Sequence, residues 1–192
     1  AITYAKQIDH FLPKSIFPEF SLYLPNMVVS CSDCNKVKDD ISIDTSTNKR
    51  FVINPFHDHE IYSKEFLICK IIPPYEASKF EIEINNTLSP DKKEICEKHI
   101  ITIKIKKKIK TLWRNYFDEL FKRLEKAYDK KYINLEENEV IEKLKEIIKE
   151  EIDNKSINEN LIHKSFFNAC INNENLLRFW CNKFKAKHIK AQ

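Results

Sequence analysis

The chain has 192 residues, of which 42% are hydrophobic and 32% charged, and a formal net charge of +4. That length suits one good core, or a small module with a second subdomain. No run approaches the roughly 18 apolar residues of a membrane span, and residues 1–12 lack the layout of a secretory signal, so a soluble chain in the cytoplasm is expected. Glycine is absent, so turns fall to Asn, Asp and Pro.

In chain order, residues 6–12 and 26–30 are rich in Ile, Phe, Met and Val and bordered by Pro13, Pro18 and Pro25, which predicts two short strands joined by a loop from Lys14 to Pro25. From Cys31 to about Lys38 the pattern fits a short helix, and Asp39 to Lys49 is turn-like. Phe51-Val52-Ile53 followed by Asn54-Pro55-Phe56-His57-Asp58 reads as a strand end and a turn. Residues 61–72 fit a strand or a short helix, whereas Phe80, Ile82 and Ile84 alternate as a strand does. Stretch 100–110 is ambiguous: Ile101, Ile103 and Ile105 alternate, yet the intervening lysines suit the exposed side of a helix. Beyond it, Leu112, Trp113, Tyr116, Phe117, Leu120, Phe121 and Leu124 recur at helical spacing, as do Val140, Ile141, Leu144, Ile147 and Ile148, and residues 158–187 hold two further helices. The expected division is 1–88 and 89–192, with a soft boundary.

Two clusters bear on chemistry before any motif is named. Lys98, Lys104, Lys106, Lys107, Lys108, Lys110 and Arg114 form a run without an acidic residue from 98 to 114. Such a stripe is either a phosphate-backbone contact or a solvated face. Of six cysteines, Cys31 and Cys34 alone have ligand spacing. They could be a redox pair, half a zinc site or two buried thiols, while Cys69, Cys96, Cys170 and Cys181 suit the core. His57, Asp58 and His59 could add to a metal site or form a polar turn after Pro55; His99, His163 and His188 have no supporting pattern.

The most informative segment is Asp9-His10, then Pro13-Lys14-Ser15, Asn26-Met27-Val28 and Cys31-Ser32-Asp33-Cys34-Asn35-Lys36-Val37-Lys38. It places a carboxylate, an imidazole and two amides within one hairpin and one helix turn. This pattern resembles the HNH (ββα-metal) nuclease family, in the variant whose third letter is Asn. The resemblance implies an α+β fold: an N-terminal ββα-metal motif with further short strands, followed by a mainly α-helical C-terminal region. It implies His10 as the general base activating water, and Asp9 and Asn35 as hard ligands of Mg²⁺ or Mn²⁺. It also implies Asn26 as the amide bracing the loop that orients His10. Lys14 and Lys38 are placed to meet phosphate, with Lys104, Lys106, Lys107, Lys108 and Lys110 as further DNA contacts. Neighbours in a regular strand face opposite sides, so Asp9 and His10 serve one phosphate only if the strand is irregular there.

Relatives with Cys-x-x-Cys at this place often carry a second pair upstream, completing a four-thiolate structural Zn²⁺ site. Here no cysteine occurs among the eight residues before Asp9, so zinc on Cys31 and Cys34 would need ligands from elsewhere. The motif followed by Asn-Pro-aromatic and a helical tail is similar to bacterial antiphage-defence nucleases of the Septu and retron-linked type, which implies an ATPase partner. The expectation is therefore a metal-dependent endonuclease acting on DNA. The alternatives are a non-catalytic nucleic-acid-binding module and a partner-docking protein whose helical half is the working surface.

Overall fold

The structure, a computed structural model, describes residues 7–44, 46–128, 130–154 and 161–190. It is an α+β protein, mostly helical, with seven α-helices and three two-stranded sheets among those residues. Strand β1 (Gln7–His10) pairs antiparallel with β2 (Met27–Ser30), and helix α1 (Ser32–Lys38) follows directly. A second small hairpin joins β3 (Ile43–Asp44) to β4 (Lys49–Arg50), and helix α2 (His59–Ser63) follows. Strands β5 (Leu67–Ile72) and β6 (Lys79–Ile84) pair with each other. The rest is helical: α3 (Pro90–Thr102), α4 (Lys106–Ala127), α5 (Glu137–Asn154), α6 (Leu161–Ile171) and α7 (Glu174–Lys190).

Both alternatives for residues 61–72 are realised in succession, a helix turn and then a strand. The stretch 100–110 resolves as helix, break and helix, the break being Ile103, Lys104 and Ile105 with Lys104 at φ 53°. Ile103 and Ile105 are buried there while Lys104 is exposed, but Ile101, inside α3, is 73% exposed, so the alternation expected from Ile101 holds only over 103–105 and no strand forms. The strand expected at 51–53 stops earlier, at Arg50. Helix α3 was not foreseen, because its apolar residues are few. The available signal was Ser89-Pro90, a capping residue before a proline at the first helical position. Residue 6 of the first expected strand and residues 158–160 of the last helical stretch lie outside the described residues.

The chain forms two compact units that do not coincide with a boundary near residue 89. The first takes the chain up to Leu67 and then Ile84–Ile109; the second takes Ile68–Glu83 and the chain from Lys110. The physical reason is the β5–β6 hairpin. Phe80 packs its ring against Trp113, Phe117 and Phe166, so the hairpin belongs to the helical unit although its sequence lies inside the first half. In that unit Trp113, Phe166, Leu176, Leu177 and Trp180 are fully buried. The indole N–H of Trp113 donates to the carbonyl of Ile162 at 2.8 Å, which satisfies the polar atom such a burial would otherwise strand. The first unit closes over Val52, Ile53, Ile61, Leu88, Cys96 and Ile100. No described helix is long and apolar enough to cross a membrane.

Candidate functional site

The site is built on the end of β1. The pairing of β1 with β2 stays in register through its last residue, Asp9 opposite Val28 and His10 opposite Met27, and Phe11 N–H continues the ladder to the Asn26 carbonyl at 2.8 Å. Regular alternation therefore puts Asp9 and Phe11, both buried, on one side and His10 on the other. The irregularity that the sequence requires for Asp9 and His10 to face one way is not in this strand.

Helix α1 covers the Asp9 side. The amide of Asn35 donates to Gln7 Oε1 at 3.0 Å, and one turn on, Lys38 Nζ donates to Asp9 Oδ1 at 3.0 Å and to the His10 carbonyl at 2.7 Å. Gln7 and Asp9 are two residues apart on β1, and Asn35 and Lys38 three apart on α1, so the helix lies along the strand with matched partners. Gln7 was not singled out from the sequence, although its place two residues before Asp9 was a signal. Burial pushes Asp9 above its ordinary value, against the pull of the Lys38 ammonium. Lys38 is itself only 5% exposed. In this structure its ammonium, expected to meet phosphate, is engaged by Asp9 and by the backbone carbonyls of His10 and Asp39.

His10 belongs to the loop. Its Nε2 lies 2.9 Å from the carbonyl of Ser21, and because a carbonyl can only accept, Nε2 carries the proton. In the neutral ring Nδ1 then holds the lone pair, and no described residue bonds to it. Asn26, 3% exposed, clips the same loop at both ends. Its Oδ1 accepts from Leu12 N–H at 2.6 Å, and its Nδ2 donates to the carbonyls of Leu12 and Phe20 at 3.0 and 3.1 Å. A side-chain amide, which both donates and accepts, replaces the strand partner that Leu12 lacks.

Asp9 and Asn35 fit a hard divalent cation in donor chemistry. Lys38 bonds to Asp9 Oδ1 and the His10 backbone N–H also bonds to that carboxylate, while Asn35 donates through its nitrogen, so a carboxylate and an amide oxygen are the donors such an ion would use. Among the described residues no three His, Cys, Asp or Glu side chains gather as a metal cluster; a carboxylate and an amide completed by water need no such cluster. Cys31 caps α1, its Sγ accepting from Cys34 N–H at 3.3 Å, and burial together with the bond to Cys31 pushes the Cys34 thiol up to about 12. No third ligand of those types joins this pair among the described residues. None of the six cysteines forms a disulfide.

The lysine run is divided between structure and surface. Lys104, Lys106, Lys107 and Lys108 are exposed, and Lys110 partly so. Lys108 binds Asp33 in the first turn of α1 at 2.7 Å, which joins the start of α4 to the site helix and holds the Asp33 carboxyl below its ordinary value. Lys14, exposed, stands at the start of the loop. His57 and His59 are exposed, while Asp58 is wholly buried. Both Asp58 oxygens are engaged, by Arg50 at 2.7 and 2.7 Å, Lys92 at 3.0 Å and Asn54 N–H at 2.8 Å. This makes the residue after Asn-Pro-Phe-His a structural anchor rather than a ligand.

No family model matches the chain, and no solved structure matches it. Among curated proteins it is similar to Protein ea31 of Escherichia phage lambda, 38% identical over 60 residues. Those residues are 31% of this chain and 20% of the phage protein, so the chain spans a fifth of that relative.

Proposed function

We propose that the chain is a metal-dependent endonuclease of the HNH type that hydrolyses phosphodiester bonds of DNA. The observation that carries it is the 2.9 Å contact between His10 Nε2 and the Ser21 carbonyl: with Nε2–H given to that carbonyl, the ring offers Nδ1 as a base at the end of β1. Nδ1 takes the proton of the attacking water, and the Nε2–H bond to the carbonyl stabilises the imidazolium that forms. Asn26 holds the loop, and with it the carbonyl that fixes the ring. Asp9 and Asn35 would hold Mg²⁺ or Mn²⁺, which when bound supplies positive charge to the phosphoryl oxygens. Lys14, Lys104, Lys106, Lys107, Lys108 and Lys110 would position the backbone without reading sequence.

The test is nicking of supercoiled plasmid with Mg²⁺ or Mn²⁺, against EDTA and against His10→Ala. His10→Ala is expected to lower the rate by about 10²–10⁴-fold and to leave binding in EDTA unchanged; undiminished cleavage by that variant would remove His10 as the base. The role in antiphage defence with an ATPase partner rests on the resemblance alone, and co-purification with a genomically adjacent ATPase tests it.

A second reading is favoured by one observation. Lys38 neutralises Asp9, and Asp9 and His10 lie on opposite sides of a regular strand, as would suit a module that binds nucleic acid without cutting it. That module predicts salt-sensitive binding and no metal-dependent turnover in the same plasmid assay.

A further inference from the structure

A hairpin with one side packed on a helix ordinarily turns polar residues outward on the other. Here the outward side is apolar. Ile8 and Val29 are cross-strand partners and 64% and 67% exposed, and alternation places them on the side of His10 and Met27. Beside them the loop presents Leu22, Tyr23 and Leu24, 86%, 52% and 74% exposed, with Phe20 edge-on to Tyr23 at 6.2 Å. The loop is not a loose excursion. The Ser21 carbonyl bonds to His10, and the Phe20 carbonyl bonds to Asn26, so the backbone that leads into Leu22, Tyr23 and Leu24 is tied to the imidazole and to the amide.

Leaving large apolar side chains in water is unfavourable by about 1.5–3 kcal/mol each relative to full burial, and a group of them marks a surface that is covered in use. Whatever covers Ile8 and Val29 also lies over His10. A protein seated there would shut the base off from any substrate, whereas the bases of a nucleic-acid strand would cover the apolar residues and bring a phosphodiester to the ring. Between residues 11 and 30 the charged residues are Lys14 and Glu19, so recognition on this side comes from stacking and apolar contact rather than net charge.

We propose that Leu22, Tyr23 and Leu24, with Ile8 and Val29, take the unpaired bases of the substrate strand, so that the site acts on single-stranded or locally opened nucleic acid in preference to intact duplex. The inference deepens the nuclease reading and rests on it for the cleavage step, but its own test is binding. Fluorescence anisotropy in EDTA would compare labelled single-stranded, bulged and fully paired DNA of one sequence, for the wild type and for Leu22→Ser/Tyr23→Ser/Leu24→Ser, whose exposed positions leave the fold intact. The wild type is expected to bind unpaired DNA at least about tenfold tighter than duplex, and the triple variant to lose that preference while keeping duplex affinity. Equal binding of paired and unpaired DNA by the wild type, or a preference that survives in the triple variant, overturns the proposal. So does a wild-type dimer that the triple variant converts to monomer, since the surface is then an interface between copies. An intact preference without metal-dependent cleavage would sink the nuclease reading and leave the base-binding surface standing.

Discussion

Lys38 is the residue whose role the structure redefines. Its ammonium and the Asp9 carboxylate are 3.0 Å apart with side chains 6% and 11% exposed, so each is the other's replacement for water. Removing one partner of such a pair strands the other. Lys38→Met is therefore expected to cost about 3–5 kcal/mol in urea unfolding, and the double variant with Asp9→Asn to recover part of that loss. His99 has a comparable constraint. Loss of solvation lowers it from 6.5 to about 4, and its Nδ1 accepts the Ile53 N–H at 3.2 Å, a bond that protonation there would break. The folded pKa lies below the unfolded one, so the unfolded chain takes up the proton first and stability falls as the pH drops from about 6.5 to about 4. Asp58 adds to the loss at lower pH: burial alone would raise it, but Arg50, Asn54 N–H and Lys92 outweigh burial and hold it below 3.8. Urea midpoints at pH 7, 5.5 and 4 are expected to decline, and His99→Gln to flatten the upper part of that decline.

Among the elements, several helix ends and one turn place non-glycine residues at positive φ, in a chain without glycine. Helix α1 stops at Asp39 with φ 47° and ψ −129°, a region that favours glycine because a Cβ crowds the backbone there. Asn48, Glu65 and Lys104 occupy left-handed positions at the β3–β4 turn, after α2 and after α3. Asp39→Gly should relieve strain at the site helix, and a gain of about 1 kcal/mol is expected in thermal or urea unfolding. Unchanged or lower stability would mean that the entropy of the unfolded glycine chain outweighs the strain. Helix α4 shows the opposite kind of compromise. It opens on Lys106-Lys107-Lys108 with no acidic residue in its first turn, where the helix dipole disfavours cations, and a phosphate backbone nearby would offset that cost.

For the whole molecule, the division into units decides what can be cut away. A truncation after Ile109 would leave Cys69, Ile71 and Phe80 without the helical residues that bury them. Such a fragment is expected to aggregate. Strands β5 and β6 begin and end side by side, with Asn85 N–H donating to the Phe66 carbonyl at 2.9 Å. Replacing residues 68–83 by a short Asn-Gly turn in the fragment ending at Ile109 should therefore restore a monomeric, cooperatively unfolding first unit. Size-exclusion chromatography and a thermal melt of the two fragments compare them directly; equal solubility would show that the hairpin does not depend on the second unit.

Local order was readable where a short period or a strong capping pattern existed. The hairpin and α1 around Asp9, Asn26 and Asn35, the alternation of β6, and the helices α4 and α5 follow from side-chain spacing, since one buried side is enough to set a strand or helix register. Helix α3 and the paired outcome at 61–72 were not readable, because their few apolar residues fit either period. What only the tertiary structure decided are the long-range partners: Lys38 turned inward to Asp9, His10 fixed through Nε2 to Ser21, Asp58 enclosed by Arg50 and Lys92, and the β5–β6 hairpin given to the helical unit. A sequence shows which groups could bond, but burial and the geometry of residues far apart in the chain determine which of them do.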